Sequence, residues 1–179
     1  MSDARDGRSA VVAYAMNGTP LLRDHGYPAR LVVAGLYGYV SATKWLRTIE
    51  LTTWGDFDGY WIPRGWSKLG PIKTASRIDV PSGEVSAGQV VIAGVAWAPG
   101  RGISRVEVQI DGEWTESQLA TSSSNETWVQ WRHAWTAAPG THELRVRATD
   151  GDGNVQTMDP APPAPDGASG YHTRTVHVT

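Results

Sequence analysis

The sequence predicts a mainly β protein: an immunoglobulin-like antiparallel β-sandwich preceded by a partial α+β segment. Three observations carry this. From about residue 79 onward, apolar and polar residues alternate with a two-residue period, run after run. Tight-turn signals such as Asp111-Gly112 and Pro139-Gly140 separate the runs. Residues 11 to about 70 lack that regularity and are punctuated by Gly26, Pro28, Gly35 and Gly38, so function there is expected on loops held by strands.

The elements follow in chain order. Met1 to Ala10 is polar and rich in Asp, Arg and Ser, which predicts a disordered lead over residues 1–10. Leu31-Val32-Val33-Ala34 reads as a short buried strand. Gly35, Gly38 and Ser41-Ala42-Thr43 form a loop, and Lys44 to Thr52 reads as the next strand, with Trp45, Leu46, Ile49 and Leu51 as its apolar positions. Val90 to Trp97, Arg105 to Ile110, Glu113 to Leu119, Trp128 to Trp135, Glu143 to Thr149 and Tyr171 to Val178 are the sandwich strands. Val106, Val108 and Ile110 share one face, as do Val129, Trp131, His133 and Trp135, and Leu144, Val146 and Ala148. The proline-rich run from Asp159 to Gly167 is a loop, because proline lacks the N–H that a central strand needs.

Composition narrows the function classes. A net charge of -2 gives no basic excess for nucleic acid or an anionic membrane surface. No stretch approaches the roughly 20 apolar residues of a membrane helix, and the start lacks a signal-peptide core, so the chain as written is expected to be soluble. Zero cysteines exclude disulfides, thiolate metal sites and a cysteine nucleophile. Nine tryptophans beside one phenylalanine read first as core and interface anchors and second as a ligand-binding aromatic surface.

One cluster stands out. In Asn17-Gly18-Thr19-Pro20-Leu21-Leu22-Arg23-Asp24-His25-Gly26-Tyr27-Pro28-Ala29-Arg30, a histidine and an arginine flank a rigid Gly–Pro turn. A guanidinium there suits a phosphate, since it grips oxyanions in a fork. The default alternative is a plain ion pair of Arg30 with Asp24. Other patterns are weaker. Asp150-Gly151-Asp152-Gly153-Asn154 opens like a calcium loop, but Ala161 stands where its bidentate Glu belongs. His172 and His177 fall on opposite strand faces and cannot form a ligand pair. Asn17-Gly18-Thr19 and Asn125-Glu126-Thr127 fit a glycosylation pattern that is common by chance.

The runs Ala13-Tyr14-Ala15-Met16-Asn17-Gly18 and Arg23-Asp24-His25-Gly26-Tyr27-Pro28-Ala29-Arg30 closely resemble a signature of sulfite oxidases and plant nitrate reductases. Gly35-Leu36-Tyr37-Gly38, Lys44-Trp45-Leu46 and Pro71-Ile72-Lys73-Thr74-Ala75-Ser76-Arg77-Ile78 extend the resemblance. It implies the C-terminal part of a molybdopterin-dependent oxidoreductase. Residues 11–78 would be the end of the molybdopterin-binding domain, and residues 79–179 an immunoglobulin-like dimerisation domain. The resemblance also implies that His25, Arg30, Ala42, Thr43 and Lys44 contact the molybdopterin cofactor. The family's molybdenum ligand is a cysteine on an N-terminal part absent from this chain. The chain alone is therefore expected to be inactive, to contribute no catalytic or metal-ligating residue, and to retain little cofactor. A homodimer through the sandwich and an N-terminal half on another chain are the expected partners. Sulfite is a doubtful substrate, because Trp66 replaces a family tyrosine and the 166–170 loop lacks a family arginine. Two alternatives remain: a non-enzymatic binding or dimerisation module presenting its tryptophans, and a broken gene product.

Overall fold

The computed structural model describes residues 9–179. The chain divides into two compact units. The first holds residues up to Ile72 together with Pro163–Gly167, and the second holds Lys73–Pro162 and Ala168–Thr179. The sequence reading set this division at 78/79. In the structure Ala75–Val80 pairs into the sandwich and Ile78 is fully buried in its core. Residues 1–8 of the expected disordered lead lie outside the described residues, while Ala10 already opens the first strand.

The second unit is a two-sheet sandwich. One sheet orders β10 (Gln118–Leu119), β11 (Val129–Ala137), β7 (Gly88–Trp97) and β5 (Ala75–Val80). The other orders β6 (Gly83–Val85), β13 (His172–Val178), β12 (Gly140–Asp150), β8 (Ile103–Ile110) and β9 (Glu113–Glu116). This ordering is that of an immunoglobulin-type sandwich, with its first strand split between the two sheets. The antiparallel expectation holds for every pair except β6 with β13, which is parallel. The inward alternation read from sequence is the core itself: Val106, Val108, Leu144, Val146 and Ala148 are fully buried, and Trp131 and Trp135 nearly so. Burying such side chains contributes about 1.5–3 kcal/mol each. His172 ties the layers together, its Nδ1 accepting the Ile78 N–H at 3.1 Å. Its ring sits on the inner face while His177 faces outward toward Thr141, as the odd spacing required.

Two departures have clear causes. The expected Glu113–Leu119 strand breaks at Ser117, which is buried and donates its N–H to Val106 O, so β9 and β10 join different sheets. The Asp150 turn is closed by the protein's own donors. Its carboxylate is buried and accepts bonds from Thr74, Arg101, Asp152 N and Asn154 N. That web of donors holds the carboxyl below its ordinary range, even though burial alone would raise it.

The first unit has little regular structure. β1 (Ala10–Ala13) pairs antiparallel with β4 (Arg30–Val33), which matches the expected Leu31 strand. β2 (Ala15–Met16) and β3 (Thr19–Pro20) form a small hairpin whose Asn17-Gly18 turn takes left-handed φ of 53° and 78°. One short helix, α1 (Gly38–Ser41), and 3-10 turns at Arg23–His25 and Ile62–Arg64 complete it. The strand expected over Lys44–Thr52 does not form. Ile49 and Leu51 lie 62% and 88% exposed, with no neighbouring strand among the described residues to take their ladder. Among the described residues, no helix is long and apolar enough to cross a membrane.

Candidate functional site

The Asp-His-Gly motif sits on the 3-10 turn Arg23–His25, which Gly26 ends at φ 108°, a left-handed value that favours glycine. Glycine is needed here for space as well. A Cβ at Gly26 would lie 3.1 Å from Lys44 Cα and 3.2 Å from Arg30 Cβ. Backbone bonds lock this approach: Trp45 N to Gly26 O at 3.3 Å, Leu46 N to Ala29 O at 2.8 Å, and a two-way Leu31–Thr43 bridge. The Trp45 indole N–H donates to Arg23 O at 2.9 Å, and Lys44 Nζ donates to Asp24 O at 2.7 Å. The turn with His25, the start of β4 with Arg30, and the Thr43–Lys44 segment are thus one tethered cluster.

Arg30 and Lys44 are cationic side chains of this cluster. The Arg30–Asp24 ion pair, the default from sequence, does not form among the described residues. Arg30 Nε is instead buried without a hydrogen-bond partner, a position that costs free energy unless an acceptor arrives. Lys44 keeps two N–H donors beyond the one spent on Asp24 O.

Of the five expected cofactor residues, Ala42, Thr43 and Lys44 line a cleft of about 960 Å³. His25 and Arg30 are not among its lining residues. Much of its lining is aromatic: Tyr39, Trp45, Trp54, Phe57, Tyr60 and Trp61. Lys68 braces it, its ammonium bonded to Phe57 O and Asp58 and lying 4.9 Å from the Trp54 ring centroid. Sequence reasoning missed Trp54, Phe57 and Lys68 as cleft residues. The density of aromatic residues from Trp54 to Trp66 was the available signal. Trp66, which the resemblance sets at a tyrosine position, packs against Tyr39 and Trp61 at ring separations of 4.8 and 6.0 Å. The 163–167 part of the proline-rich loop folds into this same unit, with Pro165 O accepting Ser67 N–H at 2.7 Å.

The tryptophans of the sandwich have separate places. Trp131 and Trp135 belong to the core, Trp114 lies under the Arg147 guanidinium, and Trp97 stacks on Trp128.

Residues 1–61 match the family model described as the oxidoreductase molybdopterin binding domain. The chain is 30% identical to sulfite oxidase of Gallus gallus over 85% of its own length and 39% of that protein's. It is 31% identical to mitochondrial sulfite oxidase of Homo sapiens over 85% of the chain and 33% of that protein. Over most of its length the chain is similar to sulfite oxidase-like molybdopterin oxidoreductases. It spans only a third to two fifths of the length of these relatives. Its fold is also that of the sulfane dehydrogenase SoxCD of Paracoccus pantotrophus, with a TM-score of 0.75 at 24% identity, covering 96% of this chain and 51% of that one.

Proposed function

We propose that this chain supplies the phosphate-binding wall of a molybdopterin site in an oxidoreductase whose remaining cofactor-binding residues lie outside it. The observation that carries the reading is the buried, unpartnered Nε of Arg30, next to Lys44 and the Gly26 turn. A phosphate oxygen provides the acceptor that Arg30 lacks, Lys44 adds donors from the cleft side, and His25 flanks the turn. Ala42 and Thr43 present backbone and small side chains, so a flat heterocycle can approach closely. When bound, the molybdenum cofactor supplies oxygen-atom transfer chemistry. The residues of this chain bind and orient it and, with Trp54, Phe57 and Trp61, shield it from water. With no cysteine to ligate molybdenum, the isolated chain is inactive and retains little metal.

The sandwich pairs with a second copy through the outer face of its four-stranded sheet. That face carries exposed Val91, the Trp97–Trp128 stack and a shallow depression at Val95, Gln130 and Arg132. The opposite outer face is a charge ladder of Arg105, Glu107, Arg147, Glu143 and Arg145, suited to water. Trp131 and Trp135 of the Trp128–Trp135 strand are in the core, so the outward residues of that strand supply the pairing face.

The reading is tested by purifying the tagged chain gently from its source cells and releasing any pterin for fluorescence assay. Pterin in fixed proportion to the chain is expected. Its absence would overturn the reading.

A further inference from the structure

Two lysines line the cleft, Lys44 and Lys68, and their ammonium groups are spent differently. An ammonium carries three N–H donors. Lys44 gives one of them to Asp24 O. Lys68 gives all three to one short segment: to Trp54 O, to Phe57 O at 2.9 Å and to the Asp58 carboxylate at 2.7 Å. It also lies 4.9 Å from the Trp54 ring centroid, close enough for a cation–π contact. The gripped segment has little else to hold it. Residues 53–58 form neither strand nor helix, and Trp54 and Phe57 are largely exposed, so packing does not fix their rings. The other bonds there are local: Asp56 N–H donates to Thr53 O, and the Thr53 hydroxyl donates to the Asp56 carboxylate. The backbone that delivers Lys68 is, by contrast, tied on both sides. Ser67 N–H donates to Pro165 O at 2.7 Å, Ser67 O accepts the Tyr39 hydroxyl at 3.0 Å, and Gly70 O accepts the Tyr37 N–H at 2.7 Å.

We infer that Lys68 is a positioning residue: from its fixed backbone it fastens the Trp54–Asp58 segment along the cleft, and it has no donor left for an anion. The two cleft lysines thus have different tasks, Lys44 facing the ligand and Lys68 setting the aromatic lining. The inference rests on the proposed cofactor function, in which Trp54 and Phe57 shield the ligand, and adds which side chain holds them there. The clamp is specific to lysine. Its donors converge on a compact ammonium, so three acceptors grouped about one point are met together. An arginine keeps the charge but spreads its donors over a planar fork, which does not match that grouping. A cation acting through charge alone would tolerate the exchange.

Fluorine NMR on the full chain labelled with fluorotryptophan tests this without any cofactor. The Trp54 signal is assigned by its loss in Trp54→Phe. In Lys68→Met and in Lys68→Arg, that signal is expected to shift and to be broadened more strongly by a dissolved nitroxide, while the signals of Trp131 and Trp135 in the sandwich core stay in place. An unmoved Trp54 signal in Lys68→Met, or a wild-type signal in Lys68→Arg, would overturn the inference. Equal movement of the core signals would overturn it too, because Lys68 would then support the fold at large. In the assembled protein, both variants are expected to release pterin several-fold faster than wild type. Release at the wild-type rate from Lys68→Met would also count against the inference. Wild-type protein that carries no pterin sinks the cofactor reading alone, whereas an unmoved Trp54 signal sinks this inference alone.

Discussion

At the scale of single residues, the site is built around space that only glycine leaves. Gly26 combines a left-handed φ with Lys44 and Arg30 closing over its Cα. Gly26→Ala is expected to cost about 1 kcal/mol or more and to lower pterin content in the assembled protein. Gly18 also has a left-handed φ but nothing within 4 Å of a would-be Cβ, so Gly18→Ala should leave pterin content unchanged. Equal losses in both variants would show that backbone strain, not the closed approach, matters. A second residue-scale device is the His142–Asp111 clamp at the β8–β9 turn. His142 Nδ1 meets Asp111 at 2.6 Å and Nε2 meets Ala138 O at 2.8 Å, so both nitrogens face acceptors and the imidazolium is favoured. The Asp111 bond raises His142 above its ordinary 6.5, and the His142 bond lowers Asp111 below 3.8. The His142 contribution is complete below pH 6.5 and fades as pH rises through the raised value. The Asp111 contribution is complete above pH 3.8 and fades as pH falls through the lowered one. The clamp is thus strongest between pH 3.8 and 6.5. Because Asp111 is half exposed, its worth is under about 1 kcal/mol. Urea midpoints against pH should show a shallow fall above pH 6.5 that His142→Asn removes.

At the scale of elements, the sandwich is expected to fold without the first unit. Its buried hydrophobics, from Ile78 to Val178, form one cluster. Residues 73–179 expressed alone should keep slow-exchanging amides in β7, β8, β11 and β12; loss of protection in all four would contradict this. These strands were legible because each carries one buried face, which writes a two-residue period into the sequence. The Lys44–Thr52 strand was misread for the converse reason. Trp45, Ile49 and Leu51 are apolar yet face outward, and a pattern of apolar residues cannot report what covers them. The clustering of His25, Arg30 and Lys44 was foreseeable only through the family motif, since Gly26 brings together residues far apart in the chain. The ring of Trp54, Phe57 and Trp61 had no periodic signature, because an irregular segment displays it.

At the scale of the whole molecule, one unit buries its apolar residues and the other displays them. In the proposed reading the sandwich contributes stability and a face for pairing, and the first unit one wall of a site. Pairing through the four-stranded sheet predicts that Val91→Arg converts the purified protein to monomer in light scattering across a concentration series, whereas Arg105→Ala on the opposite face does not. The central claim is that Arg30 holds the cofactor's phosphate. A charge-assisted bond of that kind contributes roughly 1.5–3 kcal/mol, which corresponds to about 10- to 150-fold in retention. The measurement is bound pterin per chain in the assembled protein, wild type against Arg30→Ala, with the fold verified by circular dichroism. A loss within that range is the expected result; retention equal to wild type would contradict the claim and leave Arg30 a structural residue.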